Sequence, residues 1–123
     1  MIGPITTAAA TGGAGAAAAT AYSSAPVSGV LMAIIVQYND APPASTDVGV
    51  KTKGASGVLP SIALLTLSNA NTNGYFFVRT ATYKTDGTAD GGYGAFVVND
   101  IIQIDIAQAN DGDSVSVWLE IVS

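Results

Sequence analysis

The sequence predicts an all-β fold, a β-sandwich or jelly roll of seven or eight short strands preceded by an extended N-terminal arm. Three observations carry that expectation. β-branched apolar residues recur with a period of two, and glycine with asparagine or aspartate breaks the runs at intervals of about ten to twelve residues. No segment holds a helical period over two turns. Which strands pair is not readable from this rhythm, apart from one tight turn near the C-terminus.

Taken in order, Thr6 to Ser24 is almost wholly Ala, Thr, Gly and Ser and carries no charge. Ala16 to Ala19 favours helix, but the glycines and threonines around it cost up to about 1 kcal/mol each relative to alanine. Residues 1–26 are therefore expected as an extended arm, with a floppy leader as the alternative, and residues 27–123 as the β-domain. Val27 to Tyr38 is apolar on both faces, with Val30, Met32, Ile34, Val36 and Tyr38 on one side and Leu31, Ala33, Ile35 and Gln37 on the other. A central strand covered on both faces is expected there. Asn39-Asp40-Ala41-Pro42-Pro43 ends it, because proline donates no ladder bond.

Asp47 to Lys53 alternates Val48 and Val50 with Gly49 and Lys51, a half-exposed strand. Val58 to Ser68 is another apolar run, interrupted by Pro60, and Asn69 to Gly74 is turn-rich. Tyr75 to Tyr83 alternates Phe76 and Val78 with Phe77 and Arg79, and Lys84 to Gly94 is expected as a glycine and aspartate loop. Ile102, Ile104 and Ile106 share one face of the next strand. Ala109-Asn110-Asp111-Gly112 then predicts a hairpin turn, since Asp-Gly supplies positive φ. In Ser114 to Val122 it is Val115, Val117, Leu119 and Ile121 that point inward, against Ser116, Trp118 and Glu120.

Composition narrows function mainly by exclusion. There is no histidine and no cysteine, and charged residues make up 11%, against roughly 25% in an ordinary soluble domain. So few charges leave a monomer surface poorly covered, which points to other protein chains, most economically copies of itself. A membrane is not expected as the cover, because the longest apolar run, Val30 to Val36, falls far short of the roughly 20 residues of a spanning helix. Nucleic acid is not expected as a partner either: the net charge is −5, and Lys51, Lys53, Arg79 and Lys84 form no basic run. Met1-Ile2-Gly3-Pro4 has no basic residue to begin a secretory signal, so an intracellular origin is expected.

Asp86 to Gly92 superficially suggests a calcium loop but lacks the spacing and the terminal bidentate acid, so a Gly/Asp turn is expected and no metal. Asp105 and Glu120, if opposed on a hairpin, are the only carboxylate pair placed for glycoside hydrolysis, and solvated surface acids explain them more simply. No Ser-x-x-Lys, dinucleotide or phosphate-loop motif is present. The chain is therefore expected to be no enzyme and to need no cofactor. Trp118 lies on the polar side of its strand, which fits either a contact with another chain or a covered second layer. Tyr75, Phe76, Phe77 and Tyr83 form the aromatic cluster, suited to a sugar platform or to packing a sandwich edge.

In style, the leader from Ile5 to Ser24, Asp47-Val48-Gly49-Val50-Lys51, Tyr75-Phe76-Phe77-Val78-Arg79, and the ending Ile102 to Ile106 with Val115 to Leu119 resemble small virion proteins of tailed bacteriophages, especially head decoration or cement proteins. The resemblance implies a non-enzymatic protein on the capsid surface, made in the host cytoplasm and usually trimeric. It would sit where major capsid protein subunits meet, with an arm reaching a neighbour. Ile2, Ile5, Tyr22 and Trp118 are the expected contact residues. The rival readings are a carbohydrate- or receptor-binding module of a fibre or spike, using Tyr75, Phe76, Phe77 and Tyr83, and a small glycan depolymerase using Asp105.

Overall fold

The structure, a computed structural model, describes residues 1–54 and 60–123. Eleven strands are found among them: β1 Ile2–Thr6, β2 Ala17–Tyr22, β3 Val27–Asn39, β4 Asp47–Thr52, β5 Ala63–Leu67, β6 Gly74–Phe76, β7 Thr80–Tyr83, β8 Ala89–Gly94, β9 Phe96–Asp100, β10 Ile102–Ala109 and β11 Ser114–Val122. The first sheet runs β1-β11-β3, with β6 and β9 both on the far side of β3. The second runs β2-β10-β4-β5. Every pairing is antiparallel, and the chain passes back and forth between the sheets in jelly-roll order. At 13 residues β3 is long enough to take β9 along Val27–Leu31 and β6 along Ile34–Val36, end to end on one edge.

The core lies between the sheets. Ile34, Val36, Val115, Val117 and Leu119 from the first meet Val48, Val50, Ile102, Ile104 and Ile106 from the second, all essentially without exposure. Tyr38 reaches in beside them, and burial first, with the Asp47 charge second, pushes its phenol above the ordinary tyrosine range.

Three expectations are corrected. The Asn110–Gly112 turn does not close a hairpin, because β10 belongs to the second sheet and β11 to the first. Both strands bury one alternate row, and a corner that crosses the sandwich satisfies both rows as a hairpin would. The corner is tied by Asn110 N–H to the Asp113 carboxylate (2.8 Å) and by Gly112 N–H to Ala10 O (2.8 Å). The opposite crossing, from β9 to β10, takes a single residue, and the buried Asp100 carboxylate there accepts from Ile101 and Gly54 N–H.

Residues 1–26 do not stand off as an arm. β1 lies on β11 and β2 on β10, so both sheets take an edge strand from this segment. The segment contributes to the interior as well, with Ala10 and Ala17 buried. Finally, the expected faces of β3 hold only from Ala33 onward. Register slips opposite Glu120 and Ile121, which pair with Ala33 and Leu31, so Met32 is an extra residue and Leu31 turns inward. The outward side of β3 is also only partly covered, with Val30, Met32 and Ile35 half-buried.

Smaller differences follow the same logic. The Lys84 to Gly94 segment is half strand, β8 returning along β7, and Tyr75 to Tyr83 is split between β6 and β7. The apolar run begun at position 58 lies partly outside the described residues, and its strand is β5.

Candidate functional site

The outer faces of the two sheets differ in chemistry. On the second sheet the face is polar: Thr20 Oγ1 donates to Asp105 (2.6 Å), Gln103 donates to the same carboxylate, and Lys51 Nζ lies 3.8 Å from it. The first sheet divides in two. At one end Thr6, Ser116, Asn39 and Ser114 join in a hydroxyl and amide cluster, with Thr6 Oγ1 2.8 Å from Ser116 Oγ. Beyond it the face is mainly apolar, broken by Glu120 and by the Ser28–Asn99 hydrogen bond.

Register builds that apolar region from two rows. Trp118 on β11 is opposite Ile35 on β3, which is opposite Tyr75 on β6. Val122 is opposite Val30, which is opposite Val97 on β9. Phe77, two residues beyond Tyr75 along the chain, adds a second ring toward the space between the rows, and the two rings stand 5.0 Å apart at 45°. Exposure is high at the margins: Tyr75 50%, Phe77 68%, Val97 79% and Val122 56%. Glu120 lies between the rows on β11, opposite Ala33, and is half-buried. Gly3 on β1 lets the backbone close over Trp118, since a Cβ there would lie 2.7 Å from Val117 O and 3.3 Å from the indole.

Of the expected contact residues Trp118 stands apart, half-buried on this face, while Ile2, Ile5 and Tyr22 line a cleft of about 490 Å³ between β1 and the end of β2. Tyr22 is about half exposed, with Lys53 Nζ 4.6 Å from its ring centroid. Ile5 is a correction: it is 7% exposed and packs in the core, because its strand pairs with β11 and turns it inward opposite Val117.

Of the aromatic cluster, Tyr75 and Phe77 come together and Phe76 and Tyr83 do not join them. Phe76 alternates inward and packs against the core, and Tyr83 belongs to the separate β7-β8 ribbon. Nothing in the sequence marks Tyr93, Val97 or Ile35 as surface groups. Tyr93 and Val97 sit in or beside the stretch read as a loop, and the place of Ile35 in the row needs the β3-β6 register.

Asp105 and Glu120 point from different sheets to opposite outer faces, so they do not flank a common substrate. The Asp86 and Asp90 carboxylates are turned to their own ribbon. Thr88 donates to Asp86 through its hydroxyl and then its backbone N–H, and Thr82 and Gly92 do the same for Asp90. These bonds hold both carboxyls below the ordinary aspartate range. A carboxylate held low in the folded ribbon favours it above the unfolded pKa, and that contribution disappears as pH falls through the folded value. Carboxyl NMR titration is expected to show both groups titrating low, and Thr88→Val to raise Asp86. No group of three potential metal ligands converges among the described residues.

No family model matches this chain, and no curated protein matches it. Two solved structures are similar to it. One is a mutant of CBM29-2, a family 29 carbohydrate-binding module, at 11% identity and TM-score 0.42, covering 93% of this chain and 67% of that one. The other is a second CBM29-2 mutant complexed with cellulohexaose, at 10% identity and TM-score 0.42, covering 89% and 63%. At that distance the likeness assigns neither ligand nor partner. The chain is an all-β sandwich domain.

Proposed function

We propose that the chain is a non-catalytic structural protein that packs against other protein subunits and against copies of itself, in the setting its sequence resembles, the outer shell of a phage head. The observation that carries this reading is the apolar half of the first sheet's outer face. In a chain with 11% charged residues, the rows Trp118-Ile35-Tyr75 and Val122-Val30-Val97 gather exposed apolar side chains on one face. A contiguous exposed patch with a polar margin is what a protein contact requires. Action would be geometric: seated where shell subunits meet, the domain adds buried area to each contact.

The test is co-sedimentation with head shells assembled from the cognate major capsid protein. The wild-type chain should sediment with them, and Tyr75→Ala/Phe77→Ala should bind at least tenfold more weakly while melting like wild type. Undiminished binding by the double variant would overturn this surface as the contact.

A second reading is favoured by one feature, the Tyr75 and Phe77 rings, exposed and 5.0 Å apart. Such a pair can stack on the apolar face of a sugar ring. Glycan-array binding lost on Tyr75→Ala, together with no sedimentation on shells, would favour a carbohydrate-binding module instead.

A further inference from the structure

We infer that the free edge of β2 joins a second copy of this chain, strand to strand across a two-fold axis, making one continuous eight-stranded sheet. This rests on the reading that the chain self-assembles, and it names the surface and the symmetry.

The backbone sets the geometry. In an antiparallel ladder, alternate residues turn their N–H and C=O to opposite sides. Ser23 N–H donates to Ile102 O (2.8 Å), which places the odd residues of β2 toward β10. Ala18 turns the other way and exchanges two 3.1 Å bonds with Thr11. By the same alternation Thr20 and Tyr22 present their N–H and C=O outward, past the reach of Thr11, at an edge with no further strand among the described residues.

Exposed edges are ordinarily blunted by proline, charge or a bulge. β1 has that protection, with Pro4 and a register irregularity between Ile2 and Ile5. From Ala18 to Tyr22 β2 has no proline and no charge, and its register from Ala19 to Tyr22 is regular.

Charge selects the occupant. A chain of net charge −5 repels its own copies wherever acids would meet, but the first charged side chain in the sequence is Asp40. A two-fold axis through Ala21 pairs Thr20 with Tyr22 of the second copy, and Tyr22 with its Thr20, giving four N–H to O bonds. On the outer face Thr20 is bonded to the Asp105 carboxylate, and Tyr22 has the Lys53 ammonium over its ring. The pairing therefore sets the Thr20–Asp105 pair of each copy across from the Tyr22–Lys53 pair of the other, twice across the seam, with opposite charges facing over it. Self-complementarity of this kind is what an isologous contact demands.

Analytical ultracentrifugation of the full chain tests it. The wild type should have the mass of two copies. Thr20→Pro removes an outward N–H and should give a monomer, while Thr20→Ala keeps that N–H and should stay dimeric. Should Thr20→Pro fail to fold, Lys53→Glu is expected to weaken the dimer at least tenfold and Lys53→Arg to leave it intact. A dimer insensitive to both Thr20→Pro and Lys53→Glu would overturn the edge contact. A three-copy mass would overturn the two-fold seam but leave self-assembly standing, and a monomer at the highest attainable concentration would overturn both.

Discussion

Deleting residues 2–22 is expected to abolish cooperative folding, leaving a chain with no thermal transition by circular dichroism. The segment supplies an edge strand to each sheet, and with it go Ile5, Thr7, Ala10 and Ala17, all buried. The loss also uncovers the flanks of β11 and β10, where Val117, Leu119, Ile104 and Ile106 are fully buried. Burial of each large apolar side chain contributes about 1.5–3 kcal/mol, while a whole domain is stable by only about 5–15 kcal/mol. Two lost strands exceed that margin. A truncated protein melting within a few degrees of wild type would show instead that the segment is an accessory, as its composition suggests.

Gly29→Val is expected to lower the melting temperature by roughly 10–15 °C, from about 3 kcal/mol of strain and overpacking. Gly29 has φ +138°, and a Cβ there would lie 2.6 Å from Ile121 Cγ2 and 2.7 Å from Val122 O. The Ile121 side chain can swing away, but the carbonyl belongs to β11 where Val122 is registered on Val30, so the ladder itself would have to yield. Gly13→Ala is the control. It has open space around its Cβ and no positive φ, and its melting temperature should stay within about 2 °C of wild type.

What the sequence disclosed was periodicity, and what it withheld was partnership. Val115, Val117 and Leu119 alternate so regularly that their strand and its buried face are plain from the residues alone. Yet the same regularity in Ile102, Ile104 and Ile106 made the intervening Asp-Gly turn look like a hairpin. Alternation says which side chains are buried, and it is silent on whether the neighbour lies beside the strand or across the core. The first 26 residues hid for a different reason. A segment of alanine, threonine and glycine such as this is held largely by backbone bonds, among them Thr7 N–H to Val115 O and Ala10 N–H to Asp113 O in the stretch between the two edge strands, which leave no side-chain pattern.

The surface was legible in part. The sequence points to Trp118, Tyr75 and Phe77, and the structure places them along one face; Ile5, expected at a contact, and Phe76, expected at a sugar platform or packing a sandwich edge, are turned inward by register. The second row, Val122-Val30-Val97, needs the pairing of β9 with β3, in which residues as distant as Val27 and Asp100 are partners. Side chains brought together by long-range register leave no spacing in the chain to read.

Trp118 is the sole tryptophan, and it ends the first row of the surface on which the account depends, on the side bordered by β1. Its fluorescence emission, followed while the protein is titrated onto shells of the cognate major capsid protein, should shift to shorter wavelength as water is excluded from the indole, saturating at a fixed stoichiometry. Emission unchanged at full shell occupancy would mean that this face stays in water, and the surface assigned to assembly would be the wrong one.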